Sequence, residues 1–172
     1  MSNDPAFRAP ILILGVGNTL LRDDAVGIEL VNRLSSQSNT WGDAVEFLEG
    51  GTLGIALLDY LAGRNAVLLL DAVQLGAEPG TVHSMEGEAV LTLGSRSSSA
   101  HEGNAGELLR IARLLGDMPE SLFLIGIEPK IIGTGIDLSE QVQAAVPDAL
   151  QTARTRIDSI YETLRDRYPD SG

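Results

Sequence analysis

Three side chains that lie far apart in the sequence could together bind a metal ion. Asp24 follows the glycine-containing segment GVGNTLLRD, Asp71 ends a long apolar run, and His101 follows a serine-rich stretch. Two carboxylates and one imidazole form a donor set that tolerates zinc, nickel or manganese. Three protein ligands leave coordination positions open for water or for donor atoms from another molecule. The sequence therefore predicts a divalent metal site formed by Asp24, Asp71 and His101.

Most of these residues also have an interpretation that involves no chemistry. Asp23 and Asp24 are suited to cap a helix or to interact with its dipole, and His101 alone fits a solvated loop. Asp71 differs, because a carboxylate after an apolar run needs a cation or several donors to offset its desolvation. His83 falls within a predicted strand and is interpreted as structural. The functional interpretation is therefore best supported at Asp71.

The glycine-containing segment also permits a dinucleotide-binding interpretation. Gly15 and Gly17 match the first two glycines of the fingerprint in which a pyrophosphate approaches the N-terminus of a helix. Leu20 occupies the position of the third glycine, and two carboxylates follow where a phosphate needs hydrogen-bond donors. This pattern disfavours phosphate, and a nucleotide-binding module is kept as an alternative.

Five predicted strands must position these side chains. Continuous apolar runs, typical of strands buried on both faces of a parallel sheet, cover residues 11–16, 66–70 and 122–127. Residues 44–48 and 81–85 are predicted to form strands nearer the edges of the sheet. Helical spacing of apolar residues between the strands, and again from about residue 139 onwards, predicts the flanking helices.

The alternation of strands and helices predicts an α/β fold, a three-layer sandwich. Its central sheet is five-stranded, twisted and mostly parallel, with helices on both faces. Ligands of such sheets bind beyond the carboxyl ends of the strands, where Asp24, Asp71 and His101 are expected to meet. Residues 94–100, GSRSSSA, are predicted to form a mobile loop.

Length and composition limit the remaining possibilities. The 172 residues fit a single domain, 1–172, with flexible tails expected at 1–9 and 169–172. A net charge of −12 repels phosphate backbones and anionic lipids, so neither nucleic acid nor a membrane is expected as a partner. The absence of cysteine excludes disulfides, thiolate metal sites and cysteine nucleophiles. Without a signal peptide or a membrane-spanning run, a cytoplasmic location is expected.

The motifs together resemble one known family, the nickel-iron hydrogenase maturation endopeptidases. Their order and spacing agree with that family over nearly the whole chain. The resemblance rests on ILILGVGNTLLRDDAVG at 11–27, EGGTLG at 49–54, LLLDAV at 68–73, PGTV at 79–82, the His101 loop with the helix after it, and IGIEP at 125–129.

The resemblance implies an aspartic-type endopeptidase that removes a short C-terminal extension from the hydrogenase large-subunit precursor after nickel insertion. It assigns the catalytic and metal-contacting roles to Asp24, Asp71 and His101, with Asp23 as a candidate helper. The nickel is expected to arrive with the substrate, while zinc or another divalent ion can occupy the site in isolation. The expected partner is the precursor, and a monomer is sufficient to bind it. A non-catalytic, metal-sensing chaperone is the alternative from another class.

Two positions depart from the pattern of that family. Ala25 stands where many members have glycine after the acidic pair, and Glu49 stands where aspartate usually opens the GGT segment. The longer side chain of Glu49 is expected to alter substrate fit more than chemistry.

Overall fold

The computed structural model describes residues 8–37, 40–96 and 105–167, and of residues 94–96 it describes the backbone alone. In these parts of the chain, five strands form one sheet and five α-helices flank it. The strands are β1 (Ile11–Val16), β2 (Val45–Gly51), β3 (Ala66–Ala72), β4 (Val82–Glu86) and β5 (Ser121–Ile127). The helices are α1 (Val26–Ser35), α2 (Leu58–Leu61), α3 (Glu88–Arg96), α4 (Ala105–Leu115) and α5 (Glu140–Arg167).

The strand order is β2-β1-β3-β5-β4, and every neighbouring pair is parallel except β5 with β4. The three central strands are those that the continuous apolar runs predict, and both predicted edge strands lie at the edges. Parallel strands end on the same side of a sheet, so β1, β2, β3 and β5 share one border, called here the carboxyl rim. The predicted five-stranded, mostly parallel sheet is therefore confirmed.

Alternate residues of the strands pack on opposite layers of helices. Ile11 and Ile13 belong to the core between the sheet and helices α1 and α5. Leu12 and Leu14 belong to a second core, beneath helices α2, α3 and α4. Because a parallel sheet of this kind must cover both faces, the apolar runs of its central strands have no polar side. This arrangement confirms the predicted three-layer sandwich.

Helix α3 corrects the predicted boundary of the serine-rich loop. The helix extends to Arg96, so residues 94–96 are helical rather than part of a loop that begins at Gly94. Val90 is buried against the second core, with Leu91 and Leu93 packed beside it. Burial of these side chains outweighs the poor helix propensity of glycine and serine. The rest of the predicted loop, 97–100, lies outside the described residues.

The predicted tails are described only in part. Ala9 is buried, and its carbonyl oxygen accepts a hydrogen bond from Nη1 of Arg64. The structured chain therefore begins before the end of the predicted tail 1–9, while residues 1–7 and 169–172 are not described. Within the described ranges, no helix combines the length and hydropathy that crossing a membrane requires.

Candidate functional site

The loop between β1 and α1 contains a 3₁₀ turn, Arg22–Ala25, that carries both predicted aspartates. Arg22 has a φ of 50°, a left-handed conformation that residues with a side chain rarely adopt. Its N–H donates to the carbonyl oxygen of Gly135 at 2.9 Å, and Leu21 forms a parallel bridge with the same glycine. The conformation of this acidic turn is therefore fixed by a segment that follows β5.

Three glycines allow the start of α1 to lie directly on the ends of the strands. A Cβ added to Gly27 would lie 2.2 Å from the carbonyl oxygen of Leu70, and one added to Gly15 would lie 2.5 Å from that of Gly27. Gly17 has a φ of 132°, and its added Cβ would lie 1.9 Å from the carbonyl oxygen of Asp24. The packing of the chain on itself thus requires both glycines of the dinucleotide fingerprint, and no nucleotide is needed to explain them.

Asp24 lies at the carboxyl rim, where it is partly buried. Its Oδ2 accepts a hydrogen bond from the N–H of Asn18 at 2.8 Å. Ala25 has a φ of −74° and a ψ of −6°, an ordinary right-handed conformation that does not require glycine. Glu49, the other departure from the family pattern, is exposed and pairs in register with Gly15 of β1. Neither departure disturbs the position of Asp24.

Asp71 is the penultimate residue of the central strand β3. It is partly accessible to solvent, and its Oδ1 accepts a hydrogen bond from the N–H of Ala72 at 2.8 Å. Burial, followed by the negative charge of Asp24, raises the pKa of Asp71 well above its ordinary value. The charge effect means that the two carboxylates, separated by 47 positions in the sequence, lie close enough to repel each other. The structure therefore brings two members of the predicted site together.

His101, the third predicted ligand, lies outside the described residues, so its position stays a prediction. Helix α4 begins at Ala105, four residues later in the chain. It runs back to the parallel strand β5, which places the start of α4 towards the carboxyl rim. Within the described ranges, no group of three histidine or acidic side chains is arranged to hold a metal ion. Asp24 and Asp71 alone form the described part of the site.

Asp23, the candidate helper, has a different environment from its neighbour Asp24. It has no solvent-exposed surface. Its carboxylate accepts hydrogen bonds from the N–H groups of Lys130 at 2.9 Å, Ile131 at 2.8 Å and Ser139 at 2.6 Å, and from the Ser139 hydroxyl at 2.8 Å. The carboxylate thereby joins the acidic turn to the segment after β5. This geometry gives Asp23 a positioning role for the rim loops.

The pKa of Asp23 reflects the same contacts. Burial raises it, but the hydrogen bonds from Ser139, Ile131 and Lys130 outweigh burial, and the resulting pKa lies below the ordinary value. Ser139 directly precedes α5, and its carbonyl oxygen accepts a hydrogen bond from the N–H of Gln143 at 2.8 Å. Its hydroxyl nevertheless donates to Asp23, so the residue serves the rim loop as well as the helix.

Glu128 is a second buried carboxylate at the rim, and the sequence analysis assigned it no role. It directly follows β5, and its side chain accepts hydrogen bonds at 3.0 Å from the N–H groups of Leu75 and Gly76. Its Oε2 also lies 2.9 Å from Nε2 of His83. Glu128 thus holds the loop after β3 as Asp23 holds the loop after β5. The signal for it was available, since Glu128 follows an apolar strand as Asp71 does.

Replacing Glu128 is expected to change how stability depends on pH. Burial raises the pKa of Glu128, but the hydrogen bonds from Leu75, His83 and Gly76 and the His83 charge bring it below its ordinary value. Such a group stabilises the fold above its unfolded-state pKa, and this stability is lost as pH falls through the lowered folded-state pKa. Glu128→Gln should therefore lower stability at neutral pH by about 2 kcal/mol and flatten its fall in acid.

Urea denaturation of the variant at a series of pH values measures this effect. Glu162→Gln, at an exposed position of α5, is the matched control and should reproduce the wild-type curve. An unchanged difference between Glu128→Gln and wild type from neutral to acidic pH would contradict the role of the Glu128 charge.

Comparison with known proteins places this arrangement in a family. The sequence profile of the hydrogenase maturation proteases matches residues 28–156, which is more than half of the chain. The chain belongs to the hydrogenase maturation protease family. The hydrogenase 2 maturation protease of Escherichia coli is 37% identical over 142 residues, which cover 82% of this chain and 86% of the relative.

Solved structures of this family have the same fold. The hydrogenase-maturating endopeptidase HybD from Escherichia coli has a TM-score of 0.79 and 34% identity, over 89% of this chain and 93% of that one. A hydrogenase 2 maturation peptidase from a Thaumarchaeota archaeon has a TM-score of 0.65 and 30% identity, over 88% of this chain and 99% of that one. As a hydrogenase maturation protease, the chain is a peptidase rather than a non-catalytic chaperone or nucleotide-binding module.

The carboxylate pair of this protease offers two kinds of chemistry. Two aspartates that repel each other bind a divalent cation favourably, because the cation offsets both charges. A carboxylate with a raised pKa is also a stronger base than an ordinary aspartate. Both properties are compatible with the hydrolysis of a peptide bond, and the raised pKa belongs to Asp71.

Proposed function

We propose that this hydrogenase maturation protease removes the C-terminal extension of a nickel-iron hydrogenase large-subunit precursor after nickel has been inserted. In this proposal, Asp24, Asp71 and His101 recognise the nickel that the precursor carries. The precursor's nickel is part of the substrate, and the protease contributes oxygen and imidazole ligands from a chain that has no cysteine. The family supports the peptidase activity, and the recognition of nickel is the new part of the proposal.

The observation that carries the proposal is that Asp24 and Asp71 lie near each other at the carboxyl rim, where the start of α1 packs directly on the end of β3 at Gly27 and Leu70. Two carboxylates held near each other cost free energy unless a cation or a proton separates their charges. In the described ranges, no arginine or lysine side chain forms an ion pair with either aspartate. A divalent ion in the precursor would supply the missing positive charge, whereas a nickel-free precursor would leave the repulsion in place.

The residues of the protease then have separate tasks. Asp24 and Asp71 bind and orient the nickel-bearing part of the precursor, which places the scissile peptide bond beside the carboxyl rim. Hydrolysis adds water across that bond, so the carbonyl carbon gains a hydroxyl group and the released amine gains a proton. A carboxylate of the pair can accept the proton that the attacking water loses. Asp23 holds the acidic turn in place through its bonds to the segment after β5.

Processing is expected to depend on nickel. The wild-type protease should shorten a nickel-loaded precursor and leave the nickel-free precursor intact, because only the loaded form offsets the charges of Asp24 and Asp71. Mass spectrometry of the precursor after incubation with the purified protease measures the loss of the extension. Equal rates of cleavage for both precursors would contradict recognition through the metal.

The two histidines of the chain provide a matched comparison in the same assay. His101→Ala should leave the nickel-loaded precursor uncut. His83→Ala should still discriminate between the two precursors, because His83 contacts Glu128 and not the carboxylate pair. Full processing by His101→Ala would remove that residue from the proposed site.

A further inference from the structure

Exposed apolar side chains are concentrated in the loops of the carboxyl rim, the border that also carries Asp24 and Asp71. The described residues include nine large hydrophobic side chains that are exposed. Six of them lie in the loops that follow β1, β2, β3 and β5 at the carboxyl rim, and we call these six the apolar ring. Its members are Leu20, Leu53, Ile55, Leu75, Ile131 and Ile136. Exposed apolar side chains that cluster at one end of a molecule mark sites of interaction.

Backbone hydrogen bonds connect the first loops of the apolar ring. The N–H of Gly17 donates to the carbonyl oxygen of Gly51 at 3.1 Å, which joins the loop after β1 to the loop after β2. The N–H of Gly135 donates to the carbonyl oxygen of Leu20 at 3.0 Å, which brings Ile136 beside Leu20. The loops that carry these side chains are therefore held next to one another at the carboxyl rim.

The two buried carboxylates connect the remaining loops. Asp23 binds the N–H of Ile131, and its own N–H donates to the carbonyl oxygen of the same residue at 3.2 Å. Glu128 binds the N–H of Leu75 on the other side. Because the loops are fixed before anything binds, docking on them costs little ordering entropy. The loops that carry the apolar ring are thus preorganised at the rim that also carries Asp24 and Asp71.

Charge decides which partner fits this surface. The protease carries a net charge of −12, and a second copy docked on the same face would oppose one Asp24 and Asp71 pair with another. Such an arrangement places like charges together and is unfavourable. The complementary partner instead presents a cationic centre surrounded by apolar surface. A precursor that holds a divalent metal ion in an apolar setting has this chemistry.

We infer that the apolar ring docks an apolar surface of the precursor that surrounds its metal centre, an inference that rests on the proposed function. The ring supplies affinity for the precursor, and the carboxylate pair at the same rim distinguishes the loaded precursor from the empty one. The ring residues are therefore specificity determinants that take no part in bond cleavage.

Serine substitutions on the ring test this division of roles. The triple variant Leu20→Ser, Leu53→Ser, Ile136→Ser removes three strongly exposed members, which are 64%, 59% and 75% accessible. KM for the nickel-loaded precursor should rise by about 10- to 100-fold, because the apolar contacts are lost. The value of kcat and the melting temperature should stay within error of wild type, since these side chains are exposed in the free protease.

A matched control removes equally exposed leucines from the opposite end of the molecule. Leu114 and Leu115, at the end of α4, are 80% and 62% accessible, and the double variant Leu114→Ser, Leu115→Ser should leave KM unchanged. An unchanged KM in the ring variant, or an equal rise in the control, would overturn the inference. If wild-type protease cleaves no precursor, the proposed function fails, and calorimetric binding of the precursor to both variants still decides the role of the ring.

Sedimentation of the free protease tests whether a second copy of the protease, rather than the precursor, binds the apolar ring. Monomeric wild type at increasing concentration supports docking of the precursor. A dimer that the ring substitutions dissociate would show that the surface pairs with a second copy instead, and would overturn the inference.

Discussion

Asp71→Asn should abolish processing of the nickel-loaded precursor while raising the melting temperature of the free protease. Loss of one carboxylate removes half of the negative charge that the proposed site offers to a cation. We expect the processing rate to fall by about 10³-fold or more, equivalent to about 4 kcal/mol. The amide oxygen of asparagine can still accept the hydrogen bond from Ala72 that Asp71 accepts, so the local fold should persist.

The rise in stability follows from the sign of the pKa change. Burial and the charge of Asp24 raise the pKa of Asp71, so the folded state binds this proton more tightly than the unfolded chain does. The contribution of Asp71 favours folding at low pH and is lost as pH rises through the raised folded-state pKa. At neutral pH asparagine carries no charge and avoids the free-energy cost of an ionised Asp71 in the folded state. Relief of about 1 kcal/mol of this cost raises the melting temperature by about 2–4 °C.

Calorimetry across a pH series and the processing assay together check this prediction. The difference in melting temperature between Asp71→Asn and wild type should shrink as pH is lowered, because Asp71 becomes protonated. Asp43→Asn, at an exposed position just before β2, is the control and should change neither processing nor stability. A lower melting temperature for Asp71→Asn at neutral pH would show that repulsion within the pair is not the dominant effect.

Asp23→Ala should destabilise the protease more than any other substitution at the carboxyl rim. The variant leaves the N–H groups of Lys130, Ile131 and Ser139 without their carboxylate acceptor. Removing one partner from a buried, charged network costs about 3–5 kcal/mol. For a chain of this length, such a loss lowers the melting temperature by about 6–20 °C.

The neighbouring aspartate provides the control for this substitution. Asp24→Ala should change stability by no more than about 1 kcal/mol, because the partly buried Asp24 accepts one hydrogen bond where Asp23 accepts four. Hydrogen exchange gives the local measurement, and the amides of Lys130 and Ile131 should lose protection in Asp23→Ala. Wild-type stability in Asp23→Ala would contradict the positioning role of this carboxylate.

The two adjacent aspartates thus separate two tasks within one short turn. Asp23 uses its charge to hold the rim loops, and Asp24 interacts with Asp71 across the carboxyl rim. Glu128 repeats the first task for the loop after β3. The rim can therefore present an apolar ring and an acidic pair on loops that are already fixed, which favours recognition of a preformed surface on the precursor.

The apolar pattern of the sequence was sufficient to predict the sheet and to bring Asp24 and Asp71 to one rim of it. The apolar runs that form β1, β3 and β5 have no polar side, so only a strand buried on both faces accommodates them. Asp71 stands out for the same reason, because it directly follows the apolar run of residues 66–70. The carboxyl ends of parallel strands share one rim, so the meeting of Asp24 with Asp71 also follows from the order of elements.

Which carboxylates are buried, and which loops they hold, depends on tertiary contacts. Asp23 and Asp24 are chemically identical neighbours, and their directions depend on the left-handed conformation of Arg22, which contacts with Gly135 stabilise. Helix α3 likewise forms because Val90 finds a place in the second core. Glu128 acquires its role from the N–H groups of a loop more than fifty positions earlier. These contacts join segments distant in the chain, and local sequence patterns carry no information about such pairings.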